Sequence, residues 1–209
     1  MKYLLLVCFL YCSNNTKAQN TYRINYSHVK YFADSLKRNG VTDFKWSARL
    51  VYNDSISFYY ILPDGSKKDK FEKKPVIGDK LIHHGLLFNA RTKEAFNEVA
   101  WPKNNNFLVK SSPRQFSWVF SNNTKNILGH ICTLAYSVNA NNDTSMVWHT
   151  DELGKGFGPY DFFGLPGIAL EVFDQQNDSH YIAEKIELTS VTLVFPKNAA
   201  IKYPPQKPQ

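Results

Sequence analysis

The residues best suited to moving a proton stand together at His149-Thr150-Asp151-Glu152. An imidazole beside two carboxylates can serve in acid–base catalysis or hold a cation. The set follows an apolar alternating run, so a strand-ending turn in which Asp151 or Glu152 accepts backbone N–H groups is the preferred reading. His130 and Cys132 are two apart on a strand-like stretch and share a face, which places an imidazole beside a thiol. The run Ile127-Leu128-Gly129-His130-Ile131-Cys132-Thr133-Leu134 is apolar, and a lone cysteine there reads as a small buried hydrophobe. His83-His84 are adjacent, so on a strand their rings diverge, and no carboxylate or cysteine neighbours complete a metal site. Gly154-Lys155-Gly156-Phe157-Gly158 is rich in glycine but leads into Pro159 and aromatics, not into a helix whose N-terminus would meet a phosphate. Neither Gly-x-Ser-x-Gly nor His-Glu-x-x-His occurs. No metal and no cofactor is expected.

The elements that must position these residues are strands. Tyr22, Ile24 and Tyr26 alternate with polar residues, as do Phe44, Trp46, Ala48 and Leu50, and then Ile56, Phe58, Tyr60 and Leu62. Pro63-Asp64-Gly65 reads as a turn. Five lysines crowd Ser66–Lys74, which reads as a solvated hairpin tip or loop. Phe116, Trp118 and Phe120 alternate again, Ile127–Val138 reads as one long strand, and Thr144–His149 returns across Asn139–Asp143. Ile168–Phe173 and Tyr181–Phe195 follow. One segment has helical spacing: Val29, Phe32, Ala33 and Leu36, with Gly40 placed to end a short helix. The expected fold is mainly β: a single curved antiparallel sheet, half-barrel or bowl-like, with one short helix. A β-sandwich is the alternative.

Met1–Ala18 has a charged start, a ten-residue apolar stretch at Tyr3–Cys12 and small residues at Thr16 and Ala18. It reads as a secretory leader cut before Gln19, so the mature chain would be exported to the periplasm or cell surface. Tyr11 and Val7 are poor residues before a lipid-bearing cysteine, which favours a soluble product. Cleavage removes Cys8 and Cys12 and leaves Cys132 alone, so no intrachain disulfide is expected. The remaining domain spans 19–202, followed by an extended tail at 203–209. The formal charge of +7 drops by two with Lys2 and Lys17. The scattered basic residues form no nucleic-acid motif, and no other apolar run is long enough to cross a membrane.

Five of the ten glycines fall between 154 and 167, and three aromatics fall within four positions at Tyr160, Phe162 and Phe163. Leu165 precedes proline and is driven extended. Pro166-Gly167 suits the centre of a type II turn. Beyond it, Ile168, Leu170 and Val172 would face a core, with Ala169 and Glu171 outward. The order Trp118, Leu128-Gly129-His130-Ile131-Cys132, Trp148-His149-Thr150, Gly158-Pro159-Tyr160 and Gly164-Leu165-Pro166-Gly167-Ile168-Ala169 resembles the GLPGLI family, small exported proteins best known from Bacteroidetes. The resemblance covers roughly 115–190. Ile168-Ala169 departs from the name motif, His130 and His149 replace aromatics, and a Gly-Arg usually found before the tryptophan strand is missing. The resemblance implies an exported, mostly antiparallel β protein with no established activity. It is also similar to the bowl-like accessory domain of some bacterial glycan-removing amidases.

Three functions remain open. The leading expectation is a non-enzymatic binding module for a peptide, a glycan, an apolar ligand or an envelope protein partner. Its candidate binding residues are Tyr160, Phe162, Phe163, Leu165, Trp148 and His149, since aromatics beside rigid turns make binding anchors. A core plug at a sheet corner is the simpler fate for the same aromatics. The second function is a periplasmic hydrolase using His149, Asp151 or Glu152. The third is an envelope scaffold without a small ligand.

Overall fold

The computed structural model describes residues 20–32, 43–62, 76–77, 85–101, 105–154 and 156–195. The expected leader, the Pro63-Asp64-Gly65 turn, the lysine cluster, His83-His84 and the tail lie outside the described residues. So does all of the expected helix beyond Phe32. Its start is corrected: Val29 lies within strand β1 (Thr21–Tyr31), and the described residues contain no helix.

Twelve more strands follow: β2 (Asp43–Tyr52), β3 (Ile56–Ile61), β4 (Val76–Ile77), β5 (Gly85–Asn89), β6 (Glu94–Trp101), β7 (Asn105–Ser111), β8 (Val119–Ile127), β9 (His130–Val138), β10 (Thr144–Thr150), β11 (Ile168–Asp174), β12 (Ser179–Thr189) and β13 (Thr192–Leu193). Eleven of the strands form one antiparallel sheet in the order β7-β6-β5-β3-β2-β1-β12-β11-β10-β9-β8. It consists of two meanders zipped together along β1 and β12, where Ile24 faces Ile186 and His28 faces Tyr181. The sheet is not closed into a barrel. The remaining pair, β4 and β13, is parallel. Val191 and Leu193 from that end of the chain cover Val51, Phe58, Tyr60 and Leu87, a small second core. That cover is too small to make a sandwich of two full sheets.

The long strand expected over Ile127–Val138 is two strands. Leu128 (φ 54°) and Gly129 (φ 89°) both adopt left-handed backbone, and Ile127 pairs with His130 across them. Two successive positive φ values match the right-handed twist of a two-residue hairpin. A leucine at the first of them gives no sequence signal for such a turn.

The main core lies on the inner face. Ile24, Tyr26, Ala48, Leu50, Tyr59, Leu86, Phe88, Val147, Val172 and Ala183 pack there against the β10–β11 loop. Loop residues Leu153, Phe157, Phe162, Phe163 and Leu165 are all buried. Each such side chain contributes about 1.5–3 kcal/mol by burial. The loop is gripped from both meanders. Tyr52 Oη donates to the Leu153 carbonyl (3.0 Å), Trp118 Nε1 donates to the Phe163 carbonyl (3.0 Å), and Phe88 stacks on Phe163 at 3.8 Å. Strands β2, β5 and the approach to β8 meet one loop only if the sheet curls around it.

The glycine-rich motif has a packing explanation different from the expected one. Gly167 has no positive φ, so Pro166-Gly167 is not a type II turn. A Cβ at Gly167 would stand 2.2 Å from the Thr150 carbonyl oxygen, so the start of β11 can approach the end of β10 only without a side chain. At Gly158 a Cβ would stand 2.9 Å from the Phe162 carbonyl oxygen and from Ala169 Cβ. Ala169 itself is fully buried, against the expectation that it points outward. The pairing register slips between Trp148 and His149, and this bulge turns Ala169 inward. There its backbone N–H donates to the Phe157 carbonyl (2.9 Å) and its carbonyl accepts Tyr26 Oη (2.5 Å).

Candidate functional site

The six expected binding residues divide sharply. Phe162 is 0% exposed, and Phe163 and Leu165 are buried with it in the plug. His149 is buried beneath the Phe120 ring (5.7 Å, edge-on). Neither of its ring nitrogens has a hydrogen-bond partner among the described residues, and burial holds its pKa below the ordinary value despite Asp151 nearby. Trp148 is half-buried and carries the Lys125 ammonium over its ring at 4.4 Å. Tyr160, 40% exposed, faces an open cavity.

The carboxylates expected beside His149 turn elsewhere. Glu152 meets His130 Nδ1 at 2.6 Å on the surface and accepts the Ile131 N–H at 3.4 Å. Its pKa is lowered chiefly by the His130 bond. Asp151 is exposed. Cys132 is fully buried, and burial pushes its thiol up to about 11, the opposite of an activated thiolate. Among the described residues no three His, Cys, Asp or Glu side chains gather to hold a metal.

The cavity that Tyr160 faces is a groove of about 580 Å³, within the size range of small-molecule sites. One wall comes from the end of β1 and the start of β2, with His28, Lys30, Phe44 and Trp46. The floor is Tyr59 and Ile61 of β3. The far side is Asn97 of β6, and Asn177 of the β11–β12 turn closes it together with Ser179 and Tyr181 of β12. The cross-strand pairs His28–Tyr181 and His28–Trp46 bring the wall together. The imidazole stacks on Tyr181 (4.2 Å between centroids) and leans on Trp46 (5.0 Å), which in turn leans on Phe44 (4.6 Å).

Hydrogen bonding fixes the state of His28. Ser179 Oγ donates to the Asn177 carbonyl (2.8 Å), so it can only accept from His28 Nε2, 3.3 Å away. This assigns the proton to Nε2 and leaves Nδ1 a bare acceptor. Burial, and then the Lys30 charge, lowers the His28 pKa to about 4, so the ring is neutral at ordinary pH. His28 Nδ1 and Tyr59 Oη are both buried, and neither has a partner among the described residues. Burial raises the Tyr59 phenol well above its ordinary range, so it keeps its proton. Lys30 Nζ is committed to the Asn177 carbonyl.

Tyr160 reaches the groove at a conformational cost. Its φ is +54°, left-handed backbone that a bulky residue adopts at roughly 1–3 kcal/mol. What holds it is its neighbour. Asp161 takes two hydrogen bonds from Arg114, at 2.7 and 2.9 Å. The same guanidinium reaches Asp174 at 3.0 Å and lies over the Phe116 and Phe162 rings. Arg114 therefore ties the loop to β11 one residue from the groove.

No protein-family model matches this sequence, and no curated protein matches it. Solved structures do. The chain resembles one part of PNGF-II. In its C2 crystal form the TM-score is 0.57 at 17% identity, covering 81% of this chain and 28% of PNGF-II. In the P21 form the TM-score is 0.56 at 15% identity, covering 88% and 30%. This chain thus spans less than a third of the PNGF-II length, and the likeness is one of fold.

Of the residues that line the groove, the sequence singled out Tyr160 alone as a binding candidate. A signal was present: Phe44 and Trp46 are two apart on one strand, and His28 sits on the same period-2 series as Tyr26. What could not be read was the pairing of β1 with both β2 and β12 that brings these faces together.

Proposed function

We propose that the chain is an exported binding module of the GLPGLI type that takes its ligand in the groove between Trp46 and Tyr160. The observation that carries this reading is the groove itself: aromatic walls, unspent neutral polar groups and a strained aromatic facing into it. The expected motif order and the fold shared with part of PNGF-II support the family reading. A hydrolase reading has less support. His149 lines neither this groove nor the polar cavity beside Arg114, and Glu152 is paired with His130.

The test is ligand screening by the indole N–H signals of the protein, followed by Trp46→Ala and Tyr160→Ala. Binding that survives both substitutions in folded protein would refute the groove. Export is tested separately: the secreted product should begin at Gln19.

A second reading, a partner protein on the outer face, rests on one feature. Val119, Tyr136, Met146 and Phe173 stand in register across β8 to β11, and all four are exposed. Exposed apolar residues in a row mark contact surfaces. Tyr136→Lys with Met146→Glu should then abolish partner capture and leave groove binding untouched.

A further inference from the structure

Resting on the groove reading above, we infer that the ligand is an uncharged saccharide rather than a peptide or an anion. Three observations lead there. The first is charge. Among the described residues no carboxylate lines the groove, and the one cation there, Lys30, already donates to the Asn177 carbonyl. The imidazole is neutral. Nothing in such a site compensates a ligand charge that would have to be stripped of water.

The second is the kind of polar group left unspent. His28 Nδ1 is an acceptor, and Tyr59 Oη and the Tyr160 hydroxyl are donors. The Trp46 indole N–H is a donor, and the Asn97 carboxamide is both. Among the described residues none of these has a hydrogen-bond partner. They lie among the faces of Phe44, Trp46, Tyr160 and Tyr181. A sugar ring matches that mixture: its C–H face packs on an aromatic plane while its hydroxyls, donor and acceptor at once, meet neutral groups around the rim.

The third is where the groove lies in the sheet. An extended peptide gains affinity by adding a strand to an open edge. The edges here are β7 and β8. The groove is built on β1, β2, β3 and β12, all interior strands of that sheet, and its β1 and β12 walls, at His28, Lys30, Ser179 and Tyr181, are paired with a neighbour on both sides. A peptide backbone would bring its own donors and acceptors to walls that offer it no ladder.

The experiment uses the secreted chain and three sets of probes. These are neutral trisaccharides (cellotriose, maltotriose, mannotriose and chitotriose), sialyllactose as the charged counterpart, and uncharged decapeptides. Binding is quantified by isothermal titration calorimetry, and the Trp46 indole signal in nitrogen-15 spectra of the unsubstituted chain reports whether it occurs in the groove. At least one neutral trisaccharide should shift that signal and saturate. Trp46→Ala should weaken that binding by about tenfold or more. Tyr160→Phe, which keeps the ring, should weaken it a few-fold, and Ile131→Ala, exposed on β9 and outside the groove, should not change it. Decapeptides that move the Trp46 signal while no neutral sugar does would overturn the saccharide and leave the groove standing. Preference for sialyllactose would overturn the neutrality argument. Sugar binding that persists in folded Trp46→Ala would overturn the groove, and silence from every neutral sugar would overturn the class.

Discussion

Tyr160 and Phe162 are two positions apart in one loop and have opposite fates. Phe162 is enclosed by Phe116 (5.1 Å), Arg114 and Tyr181 and has no polar atom to satisfy. Tyr160 stands at the rim of a groove in a strained backbone, with its hydroxyl unspent. The plug and the groove are made of the same residue types. What separates them is whether polar groups have been satisfied. In the plug each polar contact is closed: Trp118 to the Phe163 carbonyl, Tyr52 to the Leu153 carbonyl, Arg114 to Asp161 and Asp174. In the groove His28 Nδ1 and Tyr59 Oη are left open. Aromatic density alone therefore marks neither core nor site.

Four substitutions or conditions pull the two regions apart. The largest effect is expected in the plug. Phe162→Ala should cost about 3–5 kcal/mol, read as a fall in urea midpoint at unchanged slope. A loss under 1 kcal/mol would mean the loop is not the keystone of the inner face. Arg114→Ala comes next. It strands Asp174, whose side chain is 0% exposed, and Asp161, so about 3 kcal/mol should be lost. Because Asp161 adjoins Tyr160, that variant should also lower affinity in the groove, which Phe116→Ala should do less.

Acid probes the groove wall from another side. The His28 pKa in the folded chain, about 4, lies below its unfolded value near 6.5. The unfolded state then binds the proton first, so stability is full above pH 6.5 and falls as pH drops toward 4. The loss should reach about 1 kcal/mol at pH 5.5 and roughly 3 kcal/mol at pH 4. His28→Gln should remove that component of the acid dependence and leave the remainder, which chemical denaturation at each pH would resolve. The smallest effect belongs to Tyr160→Gly. Relief of the left-handed strain should offset the lost ring contact, so stability should change by less than about 1 kcal/mol while ligand affinity falls. Were this variant as damaged as Phe162→Ala, the distinction between plug and groove would collapse.

The strands were legible because apolar side chains recur at every second residue along β1, β2 and β3, even though β3 is buried on both faces, with Tyr59 in the main core and Phe58 and Tyr60 in the second. Alternation failed where a bulge reset the register, as between Trp148 and His149, which leaves Ala169 buried. The helical spacing from Val29 coincided with a strand whose end is set by pairing to Lys45 and His180. The motif from Gly158 to Gly167 was visible as unusual, yet its purpose was a matter of clearance: two backbones meet where no Cβ fits. The groove stayed hidden because its walls come from residues far apart in sequence, and no local pattern encodes that meeting.

The seam between β1 and β12 carries a consequence for how the chain is made. The ion pair Arg23–Glu187 closes a span of 164 positions in the middle of the sheet, not at its rim. Strand β1 must therefore wait, one side unpaired, until β12, the last strand in sequence of the large sheet, is in place. Contacts of such sequence separation form slowly, and an open strand is an invitation to the wrong neighbour. The centre of the large sheet is thus the last part of it that can close, and until then β1 presents an unpaired edge.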